Sequence, residues 1–192
     1  MKKIFILFAF FSLCFGLNKD EIKSVMSQNL NQAVQIIQNK AITDSQKPQK
    51  LFEIFDDIFD YKQMAKISLS KRYKTLKDDE KAKFDEAYEK QLKISFTNKL
   101  KGYTDQTIKI LDLEFPKQNR ANLKTEILSK GKSYPIIFKF YPKQDNWLIY
   151  DVDVLGVSIV QAYRSQFGDI LENGTFDELI KKLQETKLPD DK

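Results

Sequence analysis

Apolar side chains recur at helical spacing over residues 19–103, at every second position over 106–154, and at helical spacing again beyond Gly156. The pattern predicts an α+β fold: a run of helices, a four-stranded antiparallel sheet with one apolar face, and a helical tail. Asn18 and Glu21 have the spacing of a capping box, and Ile22, Val25, Met26, Leu30, Ala33, Ile36 and Ile37 continue as a stripe to about Asn39. A polar link over 41–49 contains Pro48. Leu51, Phe52, Ile54, Phe55, Ile58 and Phe59 then give a second helix whose stripe is wide enough to be buried on more than one side. Asp60 opens a short third helix with Tyr61, Met64, Ala65 and Leu69. Asp78 opens a longer one, with Asp79 and Glu80 at its positive end and Phe84, Tyr88, Leu92, Phe96, Leu100 and Tyr103 on its inner face.

The four strands fall at about 106–115, 121–129, 134–142 and 146–154. In the first, Ile108 and Ile110 point one way while Leu111, Leu113 and Phe115 point the other; that phase slip predicts a bulge. The second turns Leu123, Thr125 and Ile127 inward, and the third Tyr134, Ile136, Phe138 and Phe140, with Lys139 and Tyr141 outward. Hairpin turns at Lys130-Gly131-Lys132-Ser133 and Lys143-Gln144-Asp145-Asn146 make the meander antiparallel. The fourth strand has Leu148, Tyr150, Val152 and Val154 on one face. It runs through Gly156 into a helix over 156–172 with Val157, Val160, Tyr163 and Phe167 on its apolar side. A last helix opens on the capping box Thr175-x-x-Glu178 and carries Phe176, Leu179, Ile180 and Leu183.

The first sixteen residues read differently. Lys2 and Lys3 precede an apolar run of twelve residues, 4–15, too short for an ordinary membrane span, and Cys14-Phe15-Gly16 supplies small residues for cleavage after Gly16. We read 1–16 as a Sec-type secretory leader, and 17–192 as a single exported domain. Cys14 invites a lipid-anchor reading, but Leu13 stands where a small residue is expected. Without the leader the chain has no Cys, and it has no His anywhere. Thiol chemistry, a general base near pH 7 and the common zinc, copper or haem ligand sets are thereby removed. The net charge of +5 falls to +3 once Lys2 and Lys3 are gone. Export argues against a nucleic-acid partner, and the mild excess suits either transient contact with anionic lipid or simply a Lys-rich surface.

Three constellations have two readings each. Asp151 and Asp153, about 7 Å apart on one strand face, are either an acid–base pair or, more in keeping with their alternation, a solvent face. Lys71-Arg72-Tyr73-Lys74 is either a phosphate or acidic-partner site or a solvated helix end, and Arg164 either lines a pocket mouth or snorkels from an apolar surface. Ten Phe, eight Tyr and one Trp remain after the leader, since five of the fifteen Phe belong to it. They supply either an ordinary core or the walls of an apolar cavity between helices and sheet.

A resemblance bears on that choice. It rests on Phe59-Asp60-Tyr61, Leu69-Ser70-Lys71-Arg72-Tyr73, Phe84 to Leu92, and Tyr103. It continues in Val152-Asp153-Val154-Leu155-Gly156-Val157-Ser158, Tyr163-Arg164-Ser165-Gln166-Phe167 and Asn173-Gly174-Thr175-Phe176-Asp177-Glu178-Leu179-Ile180. In these the chain resembles the MlaC family, the periplasmic phospholipid-binding proteins also called the toluene-tolerance family. Lys77-Asp78-Asp79 departs from the Ser-Pro-Glu with which the family often starts its long helix.

The resemblance implies an NTF2-like fold, a helical layer packed on a curved four-stranded antiparallel sheet, with a deep apolar pocket for acyl chains between them. It implies a phospholipid carrier in the periplasm of a Gram-negative cell, not an enzyme, that has no cofactor and carries the lipid as cargo. It also implies two membrane partners: an inner-membrane ABC transporter complex met through an MCE-domain protein, and an outer-membrane lipoprotein–porin complex. We expect a monomer.

 The inward faces give the candidate lining residues: Leu69, Tyr73, Phe96, Leu100 and Tyr103 from the helices, and Ile108, Ile110, Ile127, Phe138 and Phe140 from the first three strands. Tyr150, Val152 and Val154 follow from the fourth strand, and Val157, Val160, Tyr163 and Phe167 from the helix after it. Lys71, Arg72 and Arg164 are the candidates for head-group contact or docking. The competing reading is an exported NTF2-like or cystatin-like adaptor that binds protein, with a filled core. An enzyme on an NTF2-like scaffold, with Asp151, Asp153 or Tyr residues in its site, is a third.

Overall fold

The structure, a computed structural model, describes residues 17–100, 107–129 and 131–186, and of residues 99 and 100 the backbone only. The leader read over 1–16 lies outside the described residues.

Asn18 and Glu21 cap each other as their spacing predicts, with the Asn18 side-chain amide 2.9 Å from Glu21 Oε2. A 3-10 turn leads into α1 (Ile22–Gln38), which buries Ile22, Met26, Leu30 and Ala33. Helix α2 (Lys47–Phe55) begins inside the expected polar link because Pro48 sits in its first turn, where no amide hydrogen is needed. It gives way to a 3-10 turn, Asp56–Ile58. Helix α3 (Tyr61–Leu69) is capped by Asp60, which accepts the Gln63 N–H at 3.0 Å. Ser70 turns the chain at φ 52° into α4 (Lys71–Thr75), an element the sequence pattern does not announce. Helix α5 (Asp78–Leu100) follows.

The sheet runs β1 (Thr107–Lys117), β2 (Arg120–Ser129), β3 (Lys132–Lys143), β4 (Asn146–Val154) and β5 (Val157–Ser158) in sequential antiparallel order. Four strands are those expected; β5 replaces the first residues of the expected helix over 156–172. Its cause is the pair Leu155 (φ 54°) and Gly156 (φ 81°), a tight reversal that folds Val157 back against Val154. Ser158 then caps α6 (Ile159–Phe167) by accepting the Gln161 N–H. Gly168, at φ 51°, ends that helix, so α7 (Ile170–Asn173) and α8 (Phe176–Glu185) are separate elements.

Register shifts interrupt the sheet, and two of them re-aim inward side chains. The expected one in β1 lies between Ile110 and Asp112; Leu111 is pushed out to 54% exposure, and Leu113 returns to the inner side opposite Leu123. The second, in β4, inserts Tyr150 between the residues opposite Lys139 and Phe140. It reverses the phase of the strand, so Trp147 and Ile149 are buried together with Val152. Tyr150 lies instead on the outer face, 5.7 Å from the Tyr141 ring and under the Arg120 guanidinium. This corrects the expectation that Leu148 and Tyr150 face inward.

Helices α3, α5, α6 and α8 pack on one another, while α1 lies on β1 and α2 on α1. Aromatic rings seal the α5–α6 contact: Phe84 meets Phe167 at 6.1 Å and Tyr88 meets Tyr163 at 4.9 Å. The start of α3 is fastened to β4 by the Asp60 N–H, which donates to the Ile149 carbonyl at 2.8 Å. The Asp60 carboxylate also accepts from Lys143 Nζ at 2.7 Å and from the Tyr141 hydroxyl. Burial alone would raise the Asp60 pKa, but these partners and the Gln63 N–H together hold it below its ordinary value.

Candidate functional site: an apolar cavity between helices and sheet

Between the helices and the concave face of the sheet lies a cavity of about 200 Å³. Its roof comes from Leu30, Ala33 and Ile37 of α1 and from Leu51, Phe52 and Phe55 of α2. Phe59, Tyr61 and Phe96 form a side wall. The floor is Ile108, then Thr125 and Ile127, then Ile136 and Phe138, then Val152 and Val154 from successive strands. Period-two alternation brings these floor residues to one face, and the paired register Thr125–Ile136–Val154 aligns them in a row across the strands.

The lining has almost no polar character. Thr125 turns its hydroxyl to the Ile136 carbonyl at 3.0 Å, and the Tyr61 hydroxyl donates to Asp56 at 2.9 Å. Burial, followed by the adjacent Asp56 carboxylate, pushes the Tyr61 phenol far above its ordinary pKa, so it stays a neutral donor. Such a space favours hydrocarbon and offers nothing to a charged or strongly hydrated ligand.

At the edge of the cavity, α2 meets α5. Lys93 Nζ stands 2.8 Å from Asp56 and 2.7 Å from Glu89, and lies over the rings of Phe52 (5.2 Å) and Tyr61 (4.9 Å). Burial would lower the Lys93 pKa, but the two carboxylates outweigh it and raise the pKa.

Six of the residues selected from the sequence line the cavity: Phe96, Ile108, Ile127, Phe138, Val152 and Val154. Leu69, Tyr73, Phe140, Val160, Tyr163 and Phe167 are buried in the adjoining core instead, where α3, α5 and α6 interlock. There the Tyr73 hydroxyl donates to Asp85 at 2.8 Å, and Tyr163 and Ser95 hydroxyls lie 3.4 Å apart. Ile110 is partly buried against the same core. Tyr150 is on the opposite face of the sheet, and Val157 is 42% exposed on β5. Tyr103 and the side chain of Leu100 lie outside the described residues.

None of the three basic candidates lines the cavity. Lys71 and Arg164 are exposed, and Arg72 donates to the Gly174 carbonyl at 2.8 Å, tying α4 to the start of α8. Asp151 is buried rather than on a solvent face. Its carboxylate accepts from Lys139 Nζ (3.0 Å), Ser158 Oγ (2.8 Å) and the Val160 N–H (3.3 Å), while Asp153 shares Lys139 at 2.9 Å. Asp151 thus anchors the start of α6 to the sheet, and Lys139 bridges it to Asp153. The sequence selection missed all the roof residues of α1 and α2, and with them Phe59, Tyr61, Thr125 and Ile136. The wide apolar stripe of α2 was the available signal, since a helix greasy on two sides has a second surface to cover.

Comparison with known proteins supplies the remaining findings. The family model described as MlaC protein matches residues 27–185. The intermembrane phospholipid transport system binding protein MlaC of Haemophilus influenzae is 25% identical over 123 residues, covering 62% of this chain and 58% of that protein. The chain therefore aligns with somewhat more than half the length of that relative. A solved structure of a phospholipid-binding protein from Ralstonia solanacearum, in complex with a phospholipid, superposes with a TM-score of 0.73 at 15% identity. That superposition covers 85% of this chain and 94% of the Ralstonia chain, and it shows a shared fold.

Proposed function

The chain belongs to the MlaC family, and from that membership we propose that it is a periplasmic phospholipid carrier that shields acyl chains in the cavity under α1 and α2. The observation that carries the reading is the cavity itself: an apolar space, walled by sixteen described residues, between a helical roof and a sheet floor. A two-chain phospholipid exposes about 30 methylenes, and at roughly 0.8 kcal/mol each their exposure to water costs on the order of 20 kcal/mol. Transfer between membranes is slow unless a carrier covers most of that surface. The phosphate and its substituent are well hydrated and stay outside.

Phe96, Ile108, Ile127, Phe138, Val152 and Val154 contact the chains in this reading, joined by Ala33, Phe52 and Phe55 from the roof. The carrier works without a cofactor and without bond-making chemistry, as a monomer. It exchanges lipid with an inner-membrane ABC transporter complex through an MCE-domain protein and with an outer-membrane lipoprotein–porin complex. The names of the Haemophilus and Ralstonia proteins support the lipid part of this reading. Organic extraction of the purified protein, followed by mass spectrometry, tests it. Phospholipid at close to one molecule per chain is expected; extracts without phospholipid would refute the carrier.

A further inference from the structure

We infer that acyl chains enter and leave the cavity through the seam between α2 and α5, with Phe52 as the gate and the Lys93 ion pairs as its latch. The inference rests on the carrier reading above. Volume is the first reason. An engineered apolar cavity of about 150 Å³ in another protein accepts benzene, so a space of this size holds on the order of eight carbons. At about 200 Å³ the cavity is far smaller than two acyl chains, and loading has to displace a wall.

The walls are not equally movable. The floor is a hydrogen-bonded sheet, and the α3 side is fastened to β4 through Asp60, Ile149, Lys143 and Tyr141. Helix α2 is nine residues long, has no side-chain cap at its start, and packs chiefly on α1. Phe52 also stands between the cavity and the surface. It lines the cavity, and it lines both surface grooves that run past it, one along α5 by Glu89 and the other along α2 by Asp56. Lys93 lies in both grooves. Its side chain is 21% exposed and joins Asp56, just beyond the end of α2, to Glu89 on α5. Breaking that bridge releases the last turn of α2 from α5 and leaves Phe52 free to swing.

The test follows release of a pyrene-labelled phosphatidylethanolamine from the loaded protein to excess unlabelled phosphatidylcholine vesicles. Lys93→Met keeps the aliphatic stem over Phe52 and Tyr61 but removes the charge, and is expected to speed release about tenfold, the effect of some 1.4 kcal/mol on a barrier. Lys93→Arg should return the rate towards that of the parent, and Phe52→Ala should also accelerate it. Lys124→Met, whose Glu114 partner is on the outer face of the sheet, should leave the rate unchanged. Added salt should speed the parent but not Lys93→Met, since screening weakens only an ion pair that is present. If Lys93→Met does not fold, Asp56→Asn combined with Glu89→Gln carries the same expectation. Equal rates for the parent, Lys93→Met and Phe52→Ala would overturn the portal and leave the carrier standing. Failure of the parent to take up the probe would overturn both.

Discussion

Replacing Ala33 by Leu should stabilise the lipid-free protein and impair its cargo binding at once. Ala33 is 5% exposed on the buried stripe of α1 and forms part of the cavity roof. At about 24 cal/mol per Å³, a cavity of about 200 Å³ burdens the fold by roughly 5 kcal/mol. Leu adds three carbons, which at about 0.8 kcal/mol each regain up to roughly 2.4 kcal/mol if they enter that space. The helix itself scarcely objects, because Leu and Ala are both strong helix formers. For a chain of this size the gain corresponds to a rise in Tm of about 5–10 °C.

Two measurements decide the matter. Thermal denaturation of protein refolded free of lipid gives the first, and phospholipid phosphorus per mole of natively purified protein gives the second. Higher Tm with lower phosphorus is the expected combination. Destabilisation by more than about 1 kcal/mol, the signature of overpacking, would mean that the roof has no room above Ala33. Stabilisation with undiminished phosphorus would place the cargo elsewhere.

Val152→Arg puts a charge into the middle of the cavity floor, where Val152 is 2% exposed; folded variant protein is expected to yield extracts free of phospholipid, and normal lipid content would contradict the assignment. Asp60→Asn should cost about 1–2 kcal/mol, as expected for loss of a helix cap with charged partners. Because the folded-state carboxyl titrates below its ordinary 3.8, its contribution is full above that pH and disappears as the pH falls through the lower folded-state value. The gap between the two proteins in urea denaturation should therefore be full at pH 7 and narrow as the pH is lowered below 3.8, and a gap that did not change with pH would contradict this sign. Gly174→Ala should destabilise by about 1–3 kcal/mol, since an added Cβ would lie 2.5 Å from a methyl of Ile170, and chemical denaturation showing no loss would exclude that crowding.

The sequence carries the helices, the sheet and the β1 bulge because each leaves a local mark. The slip from Ile110 to Leu111 is visible in the apolar phase, and the structure places the bulge there. The β4 bulge leaves no such mark. Trp147 and Ile149 are as apolar as Leu148 and Tyr150, so both phases of the strand satisfy the pattern. The choice is made by distant partners: the Phe59–Ile149 bridge on one side and the Arg120–Tyr150 contact on the other. Val157 departs from its expected helical place for a different reason: its apolar spacing fits the helix that follows, while Leu155-Gly156 makes a hairpin turn that pairs it with Val154. The division of inward residues between cavity and solid core is illegible in principle. Periodicity gives the side on which Phe138 and Phe140 lie, yet one lines the cavity and the other is fully enclosed, according to what packs opposite.

The interrupted course of β1 has a consequence for life at high concentration. This strand is the sheet's open flank, and its pairing with β2 is broken between Ile110 and Asp112 and again between Glu114 and Lys117. A neighbouring copy seeking to extend the sheet there finds no straight ladder of amides to read, and Lys109, Asp112 and Glu114 place charges along the approach. The kinks that bend the floor beneath the cavity thereby also oppose edge-to-edge pairing between copies.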